Sequence, residues 1–122
     1  MKKILICDDE SDIRDVLEMI LEVEFDIEVT HAVNGQDGIS KLEESEFDLI
    51  ICDMNMPKAS GADVYNFNKK NNNYPFLLLS ADSDTDIIKF EGFKEANSKN
   101  NIASKPWRDD ELYSKIRPML YG

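Results

Sequence analysis

Asp53 closes an apolar run, Ile50-Ile51-Cys52, and is followed at once by Met54-Asn55-Met56-Pro57. A strand that ends on a carboxylate can use it in two ways. The acid can close an Asx turn, or it can stand at the mouth of a sheet as a nucleophile or metal ligand. The other strand-like runs bear on the choice. Ile4 to Cys7 ends in Asp8-Asp9, Pro75 to Leu79 ends in Ser80-Ala81, and Asn101 to Ser104 ends in Lys105-Pro106. Taken singly, each has a plain structural reading. An acid pair caps a helix, a serine is a strand-end hydroxyl, and Lys105 is one of 14 basic residues. Taken together, they put three carboxylates, one hydroxyl and one ammonium at one rim. Carboxylates that close raise one another's pKa unless a cation intervenes. The simplest such cation is Mg2+, which takes carboxylate and carbonyl oxygens and keeps its waters.

The elements that must hold these groups follow from periodicity. Ile4-Leu5-Ile6-Cys7 reads as a strand buried on both faces. Ser11 is expected to cap a helix whose inner face carries Ile13, Val16, Leu17, Ile20 and Leu21. Ile27 to Thr30 alternates and is placed near a sheet edge, and Asn34-Gly35 opens a weaker helix carrying Ile39 and Leu42. Phe47 to Cys52 is the third strand. A helix with Val64 and Phe67 on one face follows Gly61 and is broken at Asn71-Asn72-Asn73. Pro75 to Leu79 is the fourth strand. Ile87, Ile88 and Phe90 mark a fourth helix interrupted by Gly92, with Phe93 packing beside it. Asn101 to Ser104 is the fifth strand, and Asp109 to Leu120 is the last helix, with Leu112, Ile116 and Leu120 aligned. Five strands alternating with five helices predict a doubly wound α/β sheet. Right-handed crossovers make its strands parallel. In such a sheet function sits at the carboxyl ends of the strands, which is where the acids, Ser80 and Lys105 fall.

Composition narrows the function classes. A chain of 122 residues with 42% apolar and 32% charged residues suits one globular domain over 1–122. A net charge of −11 repels phosphate backbones and anionic membrane surfaces, so neither nucleic acid nor membrane is an expected direct partner. The apolar stretch after Lys2-Lys3 is four residues long before Asp8, too short for a signal peptide. Cys7 and Cys52 lie inside apolar runs and read as small buried hydrophobes in a reducing, cytoplasmic compartment. His31 reads as an exposed strand-end residue, and Trp107 as packing over the last helix.

The ordered set Asp8-Asp9, Asp53 with Met56-Pro57 and Gly61, Ser80-Ala81 and Lys105-Pro106 resembles the receiver domain of two-component response regulators over the whole chain. The stretch from Asp53 to Pro57 is similar to the single-domain chemotaxis regulators. The resemblance implies a flavodoxin-like, five-stranded parallel sheet of order 2-1-3-4-5 with five helices. It implies that Asp53 is the phosphoacceptor, attacking a phosphohistidine of a histidine kinase or histidine phosphotransfer protein. Mg2+, or Mn2+ in its place, would be held by Asp9, Asp53 and the Asn55 backbone carbonyl, with Asp8 reaching it largely through water. Lys105 would pair with the phosphoryl oxygens and Asp53, and Ser80 would donate its hydroxyl to a phosphoryl oxygen. Output would pass to a protein partner through the face of the fourth helix, fifth strand and fifth helix, from a monomer or weak dimer. Such a module is not an enzyme beyond its own phosphorylation and dephosphorylation.

The chain departs from that pattern in places. Ile102 stands three residues before Lys105, where the family usually has Tyr or Phe. Ser98-Lys99-Asn100-Asn101 replaces the usual Gly-Ala before the fifth strand. Asn55 and Asp82, each two residues past a site residue, suit a short-lived phosphoryl group. No output domain follows the last helix in this sequence, so the expectation is a lone receiver or one cut from a longer regulator or hybrid kinase. Two other classes compete. One is a receiver-like binding module that works without phosphate. The other is a haloacid dehalogenase type hydrolase, which wants a second acid where Asn55 stands and a cap for its substrate.

Overall fold

The computed structural model describes residues 1–80 and 100–122. Five parallel strands form one sheet: β1 (Lys2–Cys7), β2 (Ile27–Ala32), β3 (Leu49–Asp53), β4 (Phe76–Ser80) and β5 (Asn100–Ser104), in the order β2-β1-β3-β4-β5. The described helices are α1 (Ser11–Glu24), α2 (Gly35–Glu44), α3 (Gly61–Asn71) and α4 (Asp109–Tyr121). The sheet order is the one the resemblance implied. The further helix expected around Ile87, Ile88, Phe90 and Gly92 lies outside the described residues, as do Ala81, Asp82 and Phe93. The alternating strand, Ile27–Ala32, is an edge strand as its pattern predicted.

Alternate side chains of the central strands feed two cores. Ile4, Ile6, Ile51, Leu77 and Leu79 meet Leu17 and Leu21 of α1 and Leu112 and Ile116 of α4 on one face. Leu5, Cys7, Ile50, Cys52 and Leu78 meet Leu42 of α2 and Val64 of α3 on the other. Every residue of β3 is therefore buried, including Asp53 at its end. Cys7 and Cys52 are register neighbours on β1 and β3, both buried and free thiols. Burial pushes the Cys52 thiol well up, and the adjoining Cys7 adds to it.

Two local expectations are corrected. The cap of α1 is Glu10, without a side-chain hydrogen bond, and Ser11 is the first helical residue. The reason is Asp8, whose Oδ1 already accepts the Glu10 N–H at 2.9 Å and turns the chain into the helix. Val16 is 41% exposed because it falls past the margin of the buried stripe that Leu17 and Leu21 define. The caps of α2 and α3 are conventional. Asn34 Oδ1 accepts the Asp37 N–H at 2.8 Å, and Ser60 and Asp63 form a capping box at α3. A Cβ on Gly61 would lie 2.4 Å from the Asp53 carbonyl oxygen, so only glycine lets α3 start this close to the end of β3. No helix among the described residues is long and apolar enough to cross a membrane.

Candidate functional site

The parallel register gathers the predicted rim. β1 ends beside β3, β3 beside β4 and β4 beside β5, with Asp53 opposite Leu79 and Ser80 opposite Ser104. Lys105 continues from β5, its N–H bonded to the Ser80 carbonyl at 3.0 Å, and the Lys105–Pro106 peptide is cis. Its ammonium lies between two acids, 3.0 Å from Asp8 Oδ2 and 3.2 Å from Asp53 Oδ1. Asp8 is fully buried, Asp53 is 8% exposed and Asp9 faces solvent.

Asp8, Asp9 and Asp53 each bring a carboxylate oxygen within 4.8 Å of the others. This all-oxygen set suits a hard divalent cation. Asp8 has a partner on each oxygen, Lys105 on one and the Glu10 N–H on the other, so it acts as the fixed anchor. The Asp9 and Asp53 carboxylates are less tied down. Burial holds the Asp53 carboxyl above its ordinary range; Asp8 and Asp9 push the same way, against Lys105. Burial works to lower the Lys105 pKa, but its hydrogen bond to Asp8 and the charges of Asp53 and Asp8 outweigh that and leave it raised. The cluster thus carries more negative charge than Lys105 neutralises, an environment that suits a cation by electrostatics as well as by donor type.

Ser80 is buried at the end of β4. Asn55 is exposed on the loop after β3. Ile102 packs against the α2–α3 core rather than the rim. Trp107 lines an open groove of about 370 Å³ with Ile13, Lys105 and Pro106, and packs on the α1–α4 core. Periodicity and strand-end residues missed the groups behind the rim. Arg14, Glu18 and His31 form a hydrogen-bonded chain to the Asp8 carbonyl; away from the rim, at the amino end of β4, buried Asn68 clamps Tyr74 through both its amide atoms. The i, i+4 spacing of Arg14 and Glu18 was the one legible hint of the first.

Residues 4–117 match the response regulator receiver domain family, and the chain belongs to that family. Among the curated relatives, a homologue of the transcriptional regulatory protein CpxR from Haemophilus influenzae is 32% identical over 121 residues, covering 98% of this chain and 51% of that protein. The transcriptional regulatory protein ResD of Bacillus subtilis is 33% identical over 118 residues, covering 97% of this chain and 48% of its own. The chain therefore spans about half the length of the curated relatives it matches. Among solved structures, the response regulator TrrA of Thermotoga maritima, in complex with Mg(2+)-BeF, superposes with a TM-score of 0.83 at 32% identity, covering 98% of this chain and all of that one. A CheY-like receiver domain protein from Methanospirillum hungatei gives 0.83 at 27% identity, covering 98% and 94%. Family membership makes the chain a two-component signalling module with a flavodoxin-like fold, not a conventional enzyme.

Proposed function

We propose that residues 1–122 act as one phosphoaccepting receiver and that Asp53 is the acceptor. The observation that carries the reading is the Lys105 ammonium held between Asp8 and Asp53, with Asp9 alongside, at the open end of β3. An Asp53 oxygen attacks the phosphorus of a phosphohistidine on a histidine kinase or phosphotransfer protein. The new O–P bond forms as the N–P bond breaks, and the imidazole leaves with the electron pair. Asp8, Asp9, Asp53 and the Asn55 carbonyl are the residues to hold Mg2+. When bound, that ion offsets the repulsion between the carboxylate and the incoming phosphoryl group. Lys105 holds Asp53 in place and then meets the phosphoryl oxygens, and Ser80 donates its hydroxyl to one of them. The module is cytoplasmic and signals to a protein partner. With Ile102 turned into the core, the switch works without the usual aromatic at that position.

The test uses Trp107, the one tryptophan of the chain. Its fluorescence is followed during addition of Mg2+ and then acetyl phosphate, with intact mass read in parallel. The expected result is a Mg2+-dependent phosphate adduct that Asp53→Asn removes. An adduct at the wild-type level in Asp53→Asn would show that the acceptor is another residue. No adduct on the wild type would favour a phosphate-independent binding module. Adduct decay within minutes at neutral pH is expected from Asn55 and Asp82, and persistence for hours contradicts that part.

A further inference from the structure

Asp8 is fixed at every polar atom. Its N–H bonds the Ala32 carbonyl at 3.1 Å, Oδ1 takes the Glu10 N–H, Oδ2 takes Lys105, and its carbonyl accepts Arg14 Nη1 at 2.6 Å. That last bond orients the peptide plane between Asp8 and Asp9, from which the exposed acid of the cluster projects. Arg14 is itself held. Its Nε donates to His31 Nδ1 at 3.1 Å, and His31 Nε2 lies 2.6 Å from Glu18 Oε1. An imidazole that accepts at Nδ1 must carry its proton on Nε2, and Glu18 is the acceptor that selects this tautomer. So the end of β2 grips the acid loop twice, through the Ala32 carbonyl and through His31. This is not the exposed strand-end histidine expected from sequence: its side chain is 28% exposed.

We propose that Arg14 is a positioning residue for the Asp8–Asp9 peptide and that His31, oriented by Glu18, latches it, holding when the ring is neutral and releasing when it is protonated. A proton on Nδ1 replaces the acceptor facing Arg14 with a donor and sets imidazolium against guanidinium. The charged groups that bond the ring are Arg14 and Glu18, both from α1, while its register neighbour on β1 is Ile6. The protonated ring keeps Glu18 and loses Arg14. The acid loop then loses one of its fixed points, and cation binding weakens. The inference rests on the proposed Mg2+ site and deepens it.

The test is calorimetric titration of the whole chain with Mg2+ at several values from pH 8 to pH 5.5, for wild type, Arg14→Ala, His31→Leu and His31→Asn. In His31→Asn, Oδ1 replaces Nδ1 as acceptor and does not titrate. At pH 8, Arg14→Ala weakens binding about ten-fold, the low end for outer-shell partners of metal ligands. His31→Leu weakens it less, and His31→Asn stays near wild type. As pH falls, protonation of the acids weakens binding in every form, and the ratio of wild type to His31→Asn isolates the latch. That ratio moves against wild type on acidification. Wild-type affinity in Arg14→Ala, equal losses in His31→Leu and His31→Asn, or a ratio flat with pH would each overturn the proposal. If Arg14→Ala does not fold, by circular dichroism, the two His31 variants decide. Absence of Mg2+ binding in the wild type would remove the site and the latch together. Binding in wild type with unaltered variants removes the latch alone.

Discussion

The two ends of the sheet carry the same residue types and do different things with them. At the amino end, Met1, Lys2, Asp26, Asp48 and Tyr121 line an open hollow of about 430 Å³. There Asp48 accepts the Lys3 main-chain N–H at 2.8 Å, and the Lys2 ammonium stands 5.8 Å from the Tyr121 ring centre. These charges are wet, and their contacts tie down chain ends. At the carboxyl end one lysine serves two acids, of which Asp8 is fully buried. Desolvation makes the difference, since it raises the cost of each charge until only a paired or metal-bound arrangement holds. Charge type alone therefore does not mark a site. Strand ends buried on both sides do.

Breaking the buried pairing gives the largest effect. Lys105→Ala leaves Asp8 and Asp53 without their cation and should cost about 3 kcal/mol in metal-free urea unfolding, the scale for removing one partner of a buried ion pair. Mg2+ should recover part of that loss, since Mg2+ binding is expected to survive, while phosphorylation no longer reaches the partner. A loss below about 1 kcal/mol would place the rim with ordinary surface pairs. Gly61→Ala comes next. Its Cβ would collide with the Asp53 carbonyl and Met54 Cα, so about 2 kcal/mol of stability should go, together with phosphate uptake from acetyl phosphate.

Asp53→Asn should act in the opposite direction, with a smaller effect. Because the folded state raises the Asp53 pKa, chiefly by burial, the folded chain holds this proton to higher pH than the unfolded chain does. The contribution of Asp53 to stability is fully present below the unfolded value and is lost as pH rises through the folded one. The neutral amide escapes that loss. Metal-free Asp53→Asn should melt a few degrees above wild type at pH 7, with the advantage shrinking toward pH 4. A lower melting temperature at pH 7 would mean that the Lys105 pairing outweighs desolvation. Asp48→Ala, at the wet end, should cost about 0.5 kcal/mol, the low end for one hydrogen bond.

Strand-end reading succeeded because a parallel sheet converts linear position into place. Once Cys7, Cys52, Leu79 and Ser104 are strand residues buried or in register, their followers must share a rim. Sequence reading failed where the geometry is set by rotation about a helix axis or by a partner far along the chain. Val16 scored as apolar and still faces out, because period alone does not fix the width of the buried stripe. Ser11 is a good cap by type but lost the position to a loop that Asp8 shapes. His31 looked isolated because its partners, Arg14 and Glu18, lie 17 and 13 residues away on another element. The acid cluster was legible from residue type, and the apparatus that orients it was not.

The Lys105–Asp8 pair spans 97 positions of sequence. A ribosome makes the chain from its amino end, so Asp8, Asp9 and Asp53 are all synthesised well before the lysine that neutralises them. Until β5 emerges and docks on β4, the edge that should close the rim is open and its acids face one another uncompensated. Productive closure must wait until β5 has been made and has docked, which places this site among the last parts of the sheet to mature and makes premature phosphoryl capture by a nascent chain unfavourable.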